Sequence, residues 1–141
     1  MTSWTVEILG EPVGEGRPRA VRMGAGVRMH AAPKSAQWRA LAAQQMAAEW
    51  RQDAVDDVCA VSVLALMPRP ASLPKRAGTL RLRRPVKPDV DNLAKASLDA
   101  LVTAGVLADD RCVCTLTVDK VTCAVGEAPR TVVTVQWEAV P

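Results

Sequence analysis

The chain has 141 residues, of which 49% are hydrophobic and 23% charged, and its formal net charge is +3. This length and apolar content predict a single globular domain spanning residues 1–141 and exclude a disordered chain. No apolar run reaches the roughly 18 residues of a membrane-spanning helix, and no basic segment leads into an apolar one at the start. We therefore expect no membrane contact, no secretory signal and a cytoplasmic location.

The first third of the chain predicts a strand, an irregular segment and a helix. Residues 4–9 alternate between polar and apolar side chains, which is typical of a strand. Residues 10–33 are rich in Gly, Pro and Arg, which favours a long loop or an irregular hairpin. Ser35 can N-cap a helix that runs to about Arg51. Its apolar stripe is expected to be core rather than a base-stacking platform, and consists of Trp38, Leu41, Ala42, Met46 and Trp50.

The middle of the chain combines an apolar run with a proline-rich one. Residues 58–67 are apolar on both faces, which predicts a buried central strand. Residues 68–88 carry five of the ten prolines and most of a basic run. We interpret them as an exposed, basic, Pro-rich loop that can contact DNA.

A second helix and two strands complete the predicted fold. Asp91 can N-cap a helix over residues 92–103, and Gly105 stands where a glycine ends such a helix. Residues 111–121 and 131–138 read as strands. The order predicts an α+β (mixed α/β) domain in which two main helices pack on a sheet of about four to five strands.

The cysteines do not predict a metal site. Cys59, Cys112, Cys114 and Cys123 do not form a pair of CxxC motifs, and His30 is the only histidine. Cys112 and Cys114 fall on one face of a predicted strand. We interpret all four as buried thiols that act as small hydrophobic side chains, rather than as metal or redox ligands.

Charge is distributed unevenly. Residues 17–39 contain six Lys/Arg and no acid, residues 69–87 contain seven and no acid, and residues 89–120 contain six acids against three bases. Basic stretches beside an acidic cluster suit a phosphodiester substrate, although ordinary solvated surface is the alternative. The candidate phosphate contacts are Arg17, Arg19, Lys34, Arg69, Lys75 and Arg76.

The acidic cluster begins with two aspartates on either side of one residue. If the chain is extended at Asp89 and Asp91, both carboxylates point to one side and can flank a cation. The pattern therefore requires Asp89 to precede the helix, and Pro88 favours this. Lys95 follows Asp91 by one helical turn, where it can contact a phosphate or form a helical ion pair. Asp99, a further turn along, is expected to be structural.

Asp109 and Asp110 precede a predicted strand. Adjacent side chains on an extended chain face opposite ways, so we expect one to reach the metal and the other to support it or to cap. Oxygen ligands favour Mg²⁺, which can generate a nucleophile and stabilise a leaving oxygen. Neither a phosphate-binding P-loop nor a serine–histidine arrangement is present.

These motifs resemble the RusA family of Holliday junction resolvases, small DNA endonucleases common in prophages. The likeness is carried by residues 87–101, by Gly105, and by residues 109–113. Residues 10–19 resemble the opening of the family, and Pro33–Lys34 resemble its step before the first helix.

The resemblance implies a homodimer that binds a four-way DNA junction in recombination and repair and makes paired symmetric nicks with Mg²⁺, for which Mn²⁺ can substitute. By position, Asp89, Asp91 and Asp110 match the metal-binding aspartates, and Lys95 matches the active-site lysine. Lys120 falls near a family lysine and is a further candidate DNA contact.

Two departures leave the substrate open. Val106 and Leu107 stand where some members carry aromatic residues, which puts junction distortion and sequence preference in doubt. The alternatives are a nuclease that prefers other branched DNA, such as flaps or forks, and a DNA-binding module that does not cut.

Overall fold

The described residues of the computed structural model form two helices and six strands. In chain order these are β1 (Thr2–Leu9), β2 (Arg19–Met23), β3 (Gly26–His30), α1 (Pro33–Glu49), β4 (Cys59–Met67), α2 (Val90–Thr103), a short 3₁₀ turn (Asp110–Cys112), β5 (Val113–Thr122) and β6 (Arg130–Trp137). The structure describes residues 1–16, 19–24, 26–30, 33–75 and 78–138. The predicted α+β class is confirmed.

Four strands form one mixed sheet in the order β1–β6–β4–β5. β4 and β5 are parallel, whereas β6 pairs antiparallel with both β1 and β4. A parallel pair needs a long crossover, and here α2 lies within the crossover from β4 to β5. β2 and β3 form a separate antiparallel hairpin, so the irregular hairpin was the better of the two expectations for residues 10–33.

The core lies between the sheet and the two helices, which pack on the same face of it. Val61 and Val63 of β4, aligned with Val135 and Val133 of β6, are at most 2% exposed and join side chains of both helices in one cluster. Each such buried side chain stabilises the fold by roughly 1.5–3 kcal/mol. On the opposite face of β4, Ser62 is exposed whereas Leu66 is fully buried against Val121 and Cys123, so the expectation that β4 is buried on both faces holds only toward its C-terminal end.

Helix α1 begins three residues earlier than predicted. Pro33 occupies the first helical position, where a missing N–H costs nothing, so Ser35 is buried within the first turn and is not the N-cap. Leu41 is 44% exposed and does not belong to the core stripe. Both tryptophans of this stripe, Trp38 and Trp50, are buried as predicted.

The cysteines are only partly as expected. Cys59, Cys112 and Cys123 are buried, and burial raises the pKa of the Cys59 and Cys123 thiols. Cys114 is exposed, and Cys112 lies in the 3₁₀ turn rather than on a strand, so the two do not share a strand face.

Residues 68–75 and 78–88, here called the basic loop, contain no helix or strand beyond an isolated bridge between Leu82 and Thr122. Arg69 ties this loop together. Its guanidinium donates to the main-chain oxygens of Pro74, Cys123 and Leu80 at 2.8, 3.2 and 3.4 Å. The loop is therefore fastened to the segment that follows β5.

A second anchor joins the basic loop to the turn before β6. Arg81 donates to both Glu127 carboxylate oxygens, at 3.0 and 2.7 Å, and the Ala124 backbone N–H donates to the same carboxylate at 2.9 Å. These contacts lower the pKa of Glu127 to about 2, chiefly through the Arg81 hydrogen bond.

Acid is expected to release this anchor. Because the folded-state pKa of Glu127 lies below its ordinary value of 4.5, its contribution to stability is complete above about pH 4.5 and is lost as the pH falls toward about 2. We expect Glu127→Gln to lower the melting temperature near neutral pH. The difference in melting temperature between wild type and variant should shrink as the pH falls from about 4.5 toward about 2. Thermal unfolding followed by circular dichroism measures this, with Glu49→Gln on α1 as the control. A gap that stays constant with pH would contradict the assignment.

Neither helix of the described residues combines the length and apolar character needed to cross a bilayer.

Candidate active site

The segment that leads into α2 is held on two sides. From the sheet, the Lys120 ammonium on β5 donates to the main-chain oxygens of Val86 and Pro88. From the other side, Gly14 packs so closely that an added Cβ would lie 2.8 Å from the Cβ of Pro88 and 3.1 Å from that of Asn92. The Lys87–Pro88 peptide bond is cis.

The N-terminal loop is also hydrogen-bonded to the start of α2. The Glu15 backbone N–H donates to the Asn92 carbonyl at 2.9 Å, and the Glu15 carboxylate accepts from Arg39 of α1 at 2.9 Å. Residues 10–16 therefore lie directly beside the aspartate motif and link it to α1.

Asp89 is the N-cap of α2. Its backbone is extended, with φ −71° and ψ 151°, and its carbonyl accepts the Leu93 N–H at 3.1 Å. An N-cap aspartate usually accepts a backbone N–H through its carboxylate, but within the described helix no such bond is made. The carboxylate is 56% exposed, and among the cations that the structure describes it approaches only Lys87, at 3.7 Å. It is therefore available to a ligand.

Asp91 lies in the first turn of α2, so its predicted role as N-cap is wrong. The sequence required an extended chain at Asp89 and a helix by Lys95, and both conditions hold. Asp89 and Asp91 nevertheless do not share one extended strand, because the helix begins between them at Val90.

Lys95, which is exposed, and Asp99, which is partly exposed, lie one turn apart along α2. Asp99 forms an ion pair with Arg39 at 3.5 Å, in keeping with the structural role expected for it. Lys95 is exposed, and in the part of the chain that the structure describes it pairs with neither Asp91 nor Asp99. Its ammonium therefore remains available for a phosphate.

The turn after α2 brings the Asp-Asp pair back beside the helix. Gly105 ends α2 with φ +80°, a conformation that glycine adopts without strain. Val106 and Leu107 are then buried, and the Val106 oxygen accepts the Val55 N–H at 2.8 Å. These two side chains lie in the core and are not accessible to DNA.

Asp109 and Asp110 line the same cleft, of about 500 Å³, together with Arg39 and Asp99. The expectation that the two side chains face opposite ways is therefore wrong. Asp109 caps the 3₁₀ turn by accepting the Arg111 N–H at 2.9 Å, which lowers its pKa. Hydrogen bonding to Asp109, together with the charge of Asp109, raises the pKa of Asp110.

The three predicted metal ligands are not gathered into one closed cluster. Asp110 lies near Asp109 and Asp99, toward the C-terminal end of α2, whereas Asp89 and Asp91 lie at its N-terminal end. Among the described residues, no three His, Cys, Asp or Glu side chains are close enough to hold a metal.

The predicted DNA contacts lie in different settings. Lys34 at the start of α1 and Lys75 in the basic loop are exposed, whereas the Arg69 and Lys120 cations donate to main-chain carbonyls. Arg19 lies in β2, but its side chain is not among those described. Arg17 and Arg76 lie outside the described residues.

Sequence reasoning missed three contributors to the site: the carbonyl contacts of Lys120, the close approach of Gly14 and the Arg39 bridge between Glu15 and Asp99. The glycines near residue 14 were a signal of close backbone contact, since only glycine admits it. The other two depend on pairings between residues far apart in the chain, which one sequence does not reveal.

The fold and the site together define a small α+β protein with an exposed aspartate, Asp89, at the start of α2. The family model of endodeoxyribonuclease RusA matches residues 10–136 of this chain. The chain therefore belongs to the RusA family of Holliday junction resolvase nucleases, which confirms the resemblance. A comparison with curated proteins gave no match.

Proposed function

We propose that this protein is a Mg²⁺-dependent endodeoxyribonuclease that acts as a homodimer and resolves four-way DNA junctions by paired symmetric nicks. The observation that carries the proposal is the Asp89 carboxylate, which stands exposed at the start of α2 and caps none of the helix N–H groups within the described chain. Asp91 and Lys95 follow it on the same helix.

The donor set fits a hard divalent cation. Asp89, Asp91 and Asp110 offer only carboxylate oxygens, which Mg²⁺ and Mn²⁺ prefer, and all three are exposed. Mg²⁺ usually takes one or two protein carboxylates and fills its other positions with water and substrate phosphate. A site in which the three aspartates do not complete the coordination shell is compatible with this preference of Mg²⁺. When bound, the ion supplies Lewis-acid activation of the phosphodiester.

The chain itself contributes phosphate recognition beside these carboxylates. The first turn of α2 has backbone N–H groups without helical partners, and together with the helix dipole they attract a phosphate. Lys95, one turn further, would place a positive charge near the phosphoryl oxygens, on which negative charge increases during cleavage. These groups would orient the scissile phosphate against Asp89 and Asp91.

The preference for a four-way junction follows from membership of the RusA family. Val106 and Leu107 are buried where some family members have aromatic residues, so any opening of the junction must use other side chains. A preference for flaps or forks is the competing reading of the same chemistry, and a non-cleaving DNA-binding protein is the other.

A nicking assay on three synthetic substrates tests the proposal. We expect Mg²⁺-dependent cleavage of a four-way junction at two symmetric positions, little cleavage of a fork or a linear duplex, and none when a chelator is present. Sedimentation of the purified protein should give a dimer. Faster cleavage of the fork would assign the flap or fork activity, and binding without cleavage in either metal would assign the non-cleaving module. Action on DNA is also in keeping with the expected cytoplasmic location.

A further inference from the structure

Lys120 lies on β5 and is partly buried against the segment that leads into α2. It pairs with Ala65 in the β4–β5 register, between Val118 and Thr122 on the face of the sheet that the helices cover. Its side chain is partly buried, and its ammonium reaches two main-chain oxygens, those of Val86 and of Pro88, the latter at 3.0 Å.

This contact supplies hydrogen-bond donors to main-chain oxygens of the proline-rich segment. Pro85 and Pro88 lack a backbone N–H, so residues 85–88 cannot pair with β5 as a regular strand would. A buried carbonyl without a donor is costly, and one ammonium has three donors. Lys120 therefore satisfies two oxygens of a segment that the sheet itself cannot hold.

The same segment is confined from the opposite side. Gly14 leaves no room for a Cβ against Pro88 and Asn92, and the Glu15 N–H is hydrogen-bonded to the Asn92 oxygen at 2.9 Å. The chain between these two contacts leads directly into Asp89. Displacement of the Pro88 carbonyl would therefore move the N-cap residue and its carboxylate.

We propose that Lys120 is a positioning residue for Asp89 and not a DNA contact. By holding the Val86 and Pro88 carbonyls, it sets the direction from which the Asp89 carboxylate meets the ion and the scissile phosphate. This inference rests on the proposed nuclease function, in which Asp89 is a metal ligand.

Three variants of Lys120 separate a carbonyl donor from a phosphate contact. Lys120→Met removes every donor, Lys120→Gln keeps two donors without the charge, and Lys120→Arg keeps the charge. Arg130→Met is the matched control, because Arg130 also donates to a carbonyl, that of Ala128 at 3.0 Å, but at the start of β6.

Two measurements are made on the full protein. The first is amide hydrogen exchange of a peptide covering residues 86–93, which needs no activity. We expect Lys120→Met to speed this exchange about tenfold or more, Lys120→Gln to restore part of the protection, and Arg130→Met to leave it unchanged. The second is the Mg²⁺ concentration for half-maximal junction cleavage, which Lys120→Met should raise about 10- to 100-fold, as loss of an orienting partner does at metal sites.

The outcomes distinguish this inference from the proposed function. Unchanged exchange in Lys120→Met overturns the positioning role whether or not the protein cleaves DNA. Faster exchange with an unaltered Mg²⁺ requirement also overturns it, since Lys120 would then only stabilise the fold. A salt slope of junction binding that falls by about one unit in Lys120→Met and Lys120→Gln, and recovers in Lys120→Arg, identifies a phosphate contact instead. If Lys120→Met does not fold, the comparison of Lys120→Gln with Lys120→Arg decides. Failure of the wild-type protein to cut any DNA refutes the function alone.

Discussion

Substitution of Asp89 by asparagine is expected to reduce junction cleavage about 10³-fold or more while leaving junction binding nearly intact. A bound cation supplies several kcal/mol of transition-state stabilisation, and each 1.36 kcal/mol is a factor of ten in rate. Asparagine keeps the shape of the side chain and is itself a favoured N-cap, so α2 should still start at Val90. Affinity for DNA comes mostly from Lys and Arg contacts to phosphates, which this substitution leaves in place.

Single-turnover cleavage and a binding titration on the same junction measure the two effects. Asp119→Asn is the matched control, since Asp119 also has an exposed carboxylate beside a cation, Arg83 at 2.8 Å, but lies on the sheet face away from the helices. Joint loss of binding and cleavage in Asp89→Asn would count against a purely catalytic role. Cleavage at the wild-type rate would refute the site.

Neutralising the cations of the basic loop is expected to weaken junction binding and to flatten its salt dependence. Each lost phosphate contact lowers the slope of log affinity against log salt by about one unit. In the triple variant Arg69→Ala, Lys75→Ala, Arg76→Ala the slope can therefore fall by at most about three units. Because the Arg69 guanidinium already donates to three carbonyls, we expect about two, contributed by Lys75 and Arg76.

The single variant Arg69→Ala tests whether Arg69 stabilises the fold of the loop or contacts DNA phosphate. It should lower the melting temperature, since three carbonyls lose their donor, and change the salt slope by well under one unit. The double variant Lys75→Ala, Arg76→Ala should do the reverse. An unchanged slope in the double variant would show that this part of the loop faces solvent rather than DNA.

The fold was largely predictable because its periodic segments are strong. The alternation in residues 4–9 and the apolar run in residues 58–67 were enough to predict β1 and β4. The predicted helix start was three residues too late at Ser35 and two residues too late at Asp91, because in each case an earlier residue could also begin the helix. Which face of β4 the helices would cover is a property of the tertiary packing, which the pattern of one strand does not contain.

Part of the candidate site was also predictable from local sequence patterns. The spacing of Asp89, Asp91 and Lys95 required a change from extended chain to helix, and that change is present. What local rules did not give is the wider arrangement: Asp110 beside Asp99, and Lys120 beneath Pro88. Both follow from the parallel β4–β5 crossover, which brings together segments separated by a helix or more of sequence.

The two anchors of the basic loop affect how the loop would bind DNA. Arg69 and Glu127 fasten the loop to the segment between β5 and β6, so its positive charges hold their spacing before any duplex arrives. A loop braced in this way loses little conformational entropy on association, unlike a tail that folds on its target. Junction binding should therefore show a small heat-capacity change, with its rate governed by electrostatic attraction rather than by the folding of a segment.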